Sequence, residues 1–179
     1  MTKFTALLGL LLFVGCSTAE QRPVERGAHL PSLEGYCEFR LHSRIPTGRQ
    51  PTRSEVVPTE GEDRTFYDYQ ACAEANPVTV ELDEGLIESI RIRGDRTCFS
   101  KGLCIGTEYS EVVSIFPAAK RFMSLEEGKT FALMVAPGLN VTFDGEALPD
   151  ECFANSDVCS AQIRGSRVDS ILLYRAGPK

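Results

Sequence analysis

The sequence predicts an α+β domain, a mainly antiparallel β-sheet packed against one short amphipathic helix. Three observations point there. Seven short segments alternate apolar with polar residues or run rich in Val, Ile, Thr, Tyr and Phe. Turns bearing Gly or Pro separate many of them, as expected of strands that fold back on their neighbours. One segment alone repeats its apolar residues at helical spacing, which leaves a single helix to cover the sheet.

Taken in order, "YCEFRLHS" at 36–43 alternates as a strand, with Tyr36, Glu38, Arg40 and His42 on one face and Cys37, Phe39 and Leu41 on the other. Residues 44–64 carry Pro46, Pro51, Pro58, Gly48 and Gly61 among charges and read as a long loop. Strands follow at 64–72 and 78–84. "GLIESIRIRGD" at 85–95 is a further strand, with Ile90 and Ile92 inward and Arg91 and Arg93 outward. In "IGTEYSEVVSIFP", Thr107 is a candidate N-cap, Glu108 suits the positive end of a helix, and Tyr109, Val112, Val113 and Phe116 form its apolar stripe. Pro117 closes it. Strands at 130–136, 140–145 and 167–175 complete the sheet, the first two joined by a Pro137-Gly138 turn. "CFSKGLC" and "CFANSDVC" look alike, but their flanks do not match, so there is no internal repeat.

The first residues read as an export signal. Lys3 precedes an uncharged apolar run from Phe4 to Val14, too short for the roughly 20 residues that span a bilayer and suited to a signal peptide. Its tail, Leu12-Phe13-Val14-Gly15-Cys16, resembles the bacterial lipobox. That resemblance implies diacylglycerol on the Cys16 thiol, cleavage after Gly15 and acylation of the new amino terminus. Ser17 then implies sorting to the outer membrane, since lipoproteins of this kind retained at the inner membrane favour Asp there. The competing reading is an ordinary secretory signal cut near Ala19, with Cys16 discarded. The organisation expected is a lipoprotein signal peptide at 1–15, a polar, Pro-containing lipidated tether at 16–34, and a single domain at 35–179. Fully extended, the tether reaches at most about 60 Å.

The chain has 179 residues and a formal charge of −6, which becomes −7 when Lys3 leaves with the signal. Such a protein is not built to coat nucleic acid; an acidic body suits a basic protein partner better. Seven cysteines are an odd number, and lipid on Cys16 leaves six. Export places these six in an oxidising compartment, so disulfides are expected. Sequence alone allows 15 connectivities; the favoured one pairs the local cysteines, Cys98 with Cys104 and Cys152 with Cys159, and leaves Cys37 with Cys72. A four-cysteine zinc site is the competing reading, but the spacing is unlike that of zinc knuckles. No cofactor or metal is expected.

"IESIRIRGDRTCFSKGLCIGTEYSEVVSIFP", with the hairpin and the closing "VDSILLYR", resembles a module of small bacterial envelope lipoproteins. These include an uncharacterised group regulated by the envelope-stress sigma factor. Their pattern is a strand, Gly-x-x-Ile-Gly-Thr, an amphipathic helix and antiparallel strands, and it covers residues 85–175 here. The resemblance implies fold and envelope location, and no activity.

Catalytic signatures are missing from the sequence: no G-x-S-x-G, H-E-x-x-H, P-loop or G-x-G-x-x-G occurs. His29 lies in the tether and His42 on an early strand. Glu126 and Glu127 precede "GKT", and Asp144, Glu146, Asp150 and Glu151 form an acidic turn whose "DGEALPDE" run lacks the spacing of an EF-hand. Nothing places two of them across a cleft as a glycosidase requires. Arg91, Arg93, Arg96 and Lys101 are a basic stretch that suits phosphates of lipopolysaccharide or carboxylates of peptidoglycan, or else forms a charged outer sheet face. In the loop between Cys98 and Cys104, Phe99 offers an aromatic anchor and Lys101 a donor, and crosslinking the loop lowers the ordering entropy of binding. The expected function is a non-enzymatic binding protein on the outer membrane, facing the periplasm, of inhibitor, immunity or envelope-assembly type. A basic enzyme such as a lysozyme-like muramidase is a candidate partner. The alternative is a periplasmic hydrolase acting on cell-wall material. Cys16→Ser is expected to abolish lipid labelling and leave precursor or soluble protein. Mass spectrometry of the wild type should find acyl groups on Cys16, and an unmodified terminus beyond residue 16 would contradict the anchor.

Overall fold

Alternation decides the sheet. In β5 (Asn76–Asp83) and β6 (Leu86–Ile92), Val78, Val80, Ile90 and Ile92 are at most 1% exposed. Their period of two sends Thr79, Glu81, Ser89 and Arg91 to the opposite face. Glu84 and Gly85 join these strands, both at positive φ, +48° and +79°, a pair of left-handed residues that two-residue hairpin turns require. The computed structural model describes residues 32–58, 63–71, 76–94, 97–98, 102–126 and 128–176. The signal 1–15, Cys16, His29, most of the tether and Cys72 lie outside the described residues.

The remaining strands are β1 (Gly35–Tyr36), β2 (Phe39–Arg40), β3 (Arg53–Pro58), β4 (Asp63–Ala71), β7 (Lys120–Ser124), β8 (Thr130–Ala136), β9 (Leu139–Phe143) and β10 (Val168–Tyr174). β1 and β2 pair with each other, and the other eight form one antiparallel sheet in the order β3-β4-β5-β6-β10-β9-β8-β7. Two meanders therefore meet where β10, the last strand, pairs with β6. The Pro137-Gly138 turn joins β8 to β9 as expected. A Cβ on Gly138 would stand 2.9 Å from the Tyr174 carbonyl oxygen, and its φ is +81°, so only glycine fits comfortably.

One face of the sheet carries the core. Over β8–β10 it is covered by α1 (Tyr109–Ile115), α2 (Glu151–Ala154), a 3-10 turn at Ser156–Cys159 and α3 (Ser160–Gly165). Val112, Cys152, Cys159 and Ile163 from these segments join the same cluster as Phe131, Val141 and Ile171. The Tyr109 ring lies 5.3 Å from Phe131 and 5.5 Å from Phe143. Over β4–β6 the cover is the small β1–β2 hairpin. Phe39 is fully buried 5.0 Å from the Tyr69 ring, and the buried Asn76 Nδ2 donates to Tyr36 Oη at 2.9 Å.

The fold is α+β and mainly antiparallel, as the sequence predicts, with three corrections. The described residues hold three α-helices rather than one, because α2 and α3 are too short for a periodic stripe to show. In place of one strand at 36–43 there are two strands of two residues, Gly35–Tyr36 and Phe39–Arg40, with positive φ at Cys37 between them and at His42 beyond them (+54° and +61°), so Tyr36 and Phe39 are buried together instead of alternating. The loop expected at 44–64 contains β3, an edge strand exposed along its length and flanked by prolines. β7 is the other unpredicted edge.

At the start of α1 the N-cap is Glu108 rather than Thr107, with its N–H donating to Glu111 Oε2; Thr107 Oγ1 instead accepts from the Cys104 N–H at 3.0 Å. Cys98–Cys104 and Cys152–Cys159 are disulfides, as expected. Cys37 is disulfide-bonded too, and its expected partner Cys72 lies outside the described residues. Among the described residues no helix is long and apolar enough to cross a membrane. Ile90→Ala, in a fully buried site at the sheet centre, should destabilise by about 2–5 kcal/mol. Val56→Ala, on the exposed edge, should stay within about 0.5 kcal/mol of wild type. Denaturant unfolding of the two variants checks the contrast.

Candidate functional site

The face opposite the core is lined by side chains that alternation forces outward. One ladder row runs from Arg53 through Asp68, Thr79 and Arg91 to Leu172 and Asn140. A second row sets Phe66 beside Glu81, Ser89 and Tyr174. Between the rows lies a groove of about 570 Å³, lined by Arg64, Phe66, Glu81, Arg91, Leu172 and Tyr174 among others. A hollow of about 230 Å³ continues it past Arg53, Asp68 and Arg93, sharing Phe66, Thr79 and Arg91 with the first. Arg91 is thus common to both.

Most polar groups of this face are already bonded. Glu81 Oε1 accepts from Arg64 Nη1 at 3.0 Å and its Oε2 from Ser89 Oγ at 2.7 Å. Asp68 Oδ1 accepts from Thr79 Oγ1 at 2.7 Å. Arg53 pairs with Glu55 at 2.8 Å. Arg91 differs. It is half-buried, and its guanidinium forms no hydrogen bond or ion pair among the described residues. Burial, and then the neighbouring charge of Arg93, hold it below the ordinary arginine range, with Asp169 and Glu81 opposing more weakly. A charged fork with five donors, partly stripped of water and unpaired, is chemically an anion receptor.

Of the residues singled out in the sequence, Arg91 and Arg93 do point away from the core, and Arg91 enters the groove. Arg96, Phe99, Lys101 and Glu127 lie outside the described residues. His42 sits beyond β2, its N–H donating to the Ile87 carbonyl at 2.8 Å, away from the groove. The acidic turn is used locally, with Asp150 paired to Lys129 at 3.0 Å and Asp144 Oδ1 accepting from the Ala147 N–H at 3.3 Å. Among the described residues no three acidic, histidine or cysteine side chains gather to hold a metal ion. Arg53, Phe66, Asp68, Thr79 and Glu81 belong to the groove but carry no sequence motif. Only the strand register brings them together.

The chain matches no protein family and no curated protein. Among solved structures it is similar to that of the uncharacterized protein YfeY from Escherichia coli, with a TM-score of 0.50 and 18% identity over 69% of this chain and 80% of that one. At that identity the likeness is one of fold. Arg91→Met preserves side-chain length and removes the charge. Its stability should equal that of wild type or exceed it by up to about 1 kcal/mol, since an unpaired, partly desolvated charge opposes folding. Denaturant unfolding checks this, and a loss of more than about 1 kcal/mol would make the guanidinium a structural group.

Proposed function

We propose that this protein is a non-enzymatic binding protein, anchored to the outer membrane through acylated Cys16 and facing the periplasm, that engages its ligand through the uncovered sheet face. The observation that carries the reading is the half-buried Arg91 guanidinium, which has no hydrogen-bond or ion-pair partner among the described residues and lies where two hollows of that face meet. A side chain that opposes folding where it stands is the kind of group retained for function. Binding is favoured over catalysis because Glu81 and Asp68, two of the carboxylates near Arg91, are committed to neighbouring side chains, and no histidine lines the two hollows. The tether would let the domain reach ligands some tens of ångströms from the bilayer. The loop between Cys98 and Cys104, with Phe99 and Lys101, is proposed as a second contact for a protein partner.

Crosslinked pull-down of the tagged lipoprotein from its own envelope tests the reading. Wild type should capture a component that Arg91→Met loses by about tenfold or more, as expected when a charge-assisted hydrogen bond is removed. Phe99→Ala/Lys101→Ala should weaken capture of protein partners only. Undiminished capture by Arg91→Met, or turnover of cell-wall material by the purified protein, would overturn it.

A further inference from the structure

We propose that the groove takes a short extended peptide in zwitterionic form, its free carboxylate on Arg91 and its ammonium among Asp63, Asp83 and Glu88. The inference rests on the binding reading above and adds the class of ligand. Its first support is Arg91 itself, which is half-buried, lacks any partner among the described residues and lies where the two hollows join. A guanidinium fork matches the two oxygens of a carboxylate.

The surroundings select a singly charged anion. Arg93 adds positive charge and Arg53 is paired with Glu55, while Asp169 and Glu81 oppose it more weakly and Asp68 lines the same hollow. A phosphate dianion would meet those carboxylates at close quarters, and a carboxylate monoanion suffers less.

The second support is the polarity of the groove along its length. Its far end carries Asp63, Asp83 and Glu88, none of which forms an ion pair among the described residues. Glu88 stands three residues before Arg91 on β6, in a register shift that interrupts the alternation, so both line the groove, at most about 10 Å apart at strand spacing. An extended tripeptide spans about the same distance between its charged ends. Phe66 and Leu172 supply an apolar wall between the two ends. A groove of about 570 Å³ falls within the usual size of small-ligand sites.

Calorimetric titration of the full-length lipoprotein in detergent, with tri-alanine as the probe, tests the assignment. Tri-alanine should bind, and amidation of its carboxyl terminus or Arg91→Met should each weaken binding about tenfold or more. N-acetylation, or Asp83→Asn/Glu88→Gln, should weaken it several-fold, and high salt should weaken it too. Equal binding of the amide would overturn the assignment, as would stronger binding of inorganic phosphate or of glycerophosphoethanolamine. Absence of tri-alanine binding with Arg91-dependent envelope capture intact would overturn the peptide class alone. Absence of both would overturn the groove as a site.

Discussion

The pairing of the last strand with β6 is the contact on which the rest of the molecule depends. β10 lies between β6 and β9, so residues about 80 positions apart in sequence share a ladder at the sheet centre. Ile171 and Leu173 face Ile92 and Ile90 across it, and all four are fully buried. Without it the sheet would be two separate meanders. With it, the connection from β6 to β7 and that from β9 to β10 both place their helical segments over one core. The Cys152–Cys159 disulfide ties α2 to the start of α3 above that core.

One-sided covering has a chemical consequence. The β1–β2 hairpin and the helices bury one face, so the apolar members of each alternating strand are absorbed there. The other face keeps the polar members, among them Thr79, Glu81 and Arg91. Most of these satisfy one another. Arg91 is half-buried beside Thr79 on β5 and Leu172 on β10 and has no hydrogen-bond or ion-pair partner among the described residues. A charge left unmatched in a partly desolvated place is where local rules give way to function.

Much of this was legible in the sequence, in a way that follows the physics. β4, β5, β6, β8, β9 and β10 are buried on one side and solvated on the other, so alternation reveals them. β3 is exposed on both sides, so nothing in its pattern distinguishes it from a loop. The strand expected at 36–43 failed because Cys37 and His42 adopt left-handed backbone that non-glycine residues rarely take. The two local disulfides could be read because short loops bring their ends together readily. The direction of Arg91 was legible from Ile90 and Ile92 on either side of it. Its lack of a hydrogen-bond or ion-pair partner among the described residues was not, since Arg64 and Ser89 engage Glu81, and Thr79 engages Asp68, across strand registers.

The central claim is that the uncovered face, with Arg91 at its middle, is where the protein meets its ligand. Site-specific photocrosslinking in the living envelope tests it most directly. A photoreactive side chain at Leu172 would stand beside Arg91 in the groove, and one at Val158 would stand exposed in the 3-10 turn on the covered side. Discrete adducts from Leu172 and none from Val158, with the Leu172 adducts lost when Arg91→Met is added, is the predicted result. Adducts from Val158 alone, or Leu172 adducts indifferent to Arg91, would contradict it.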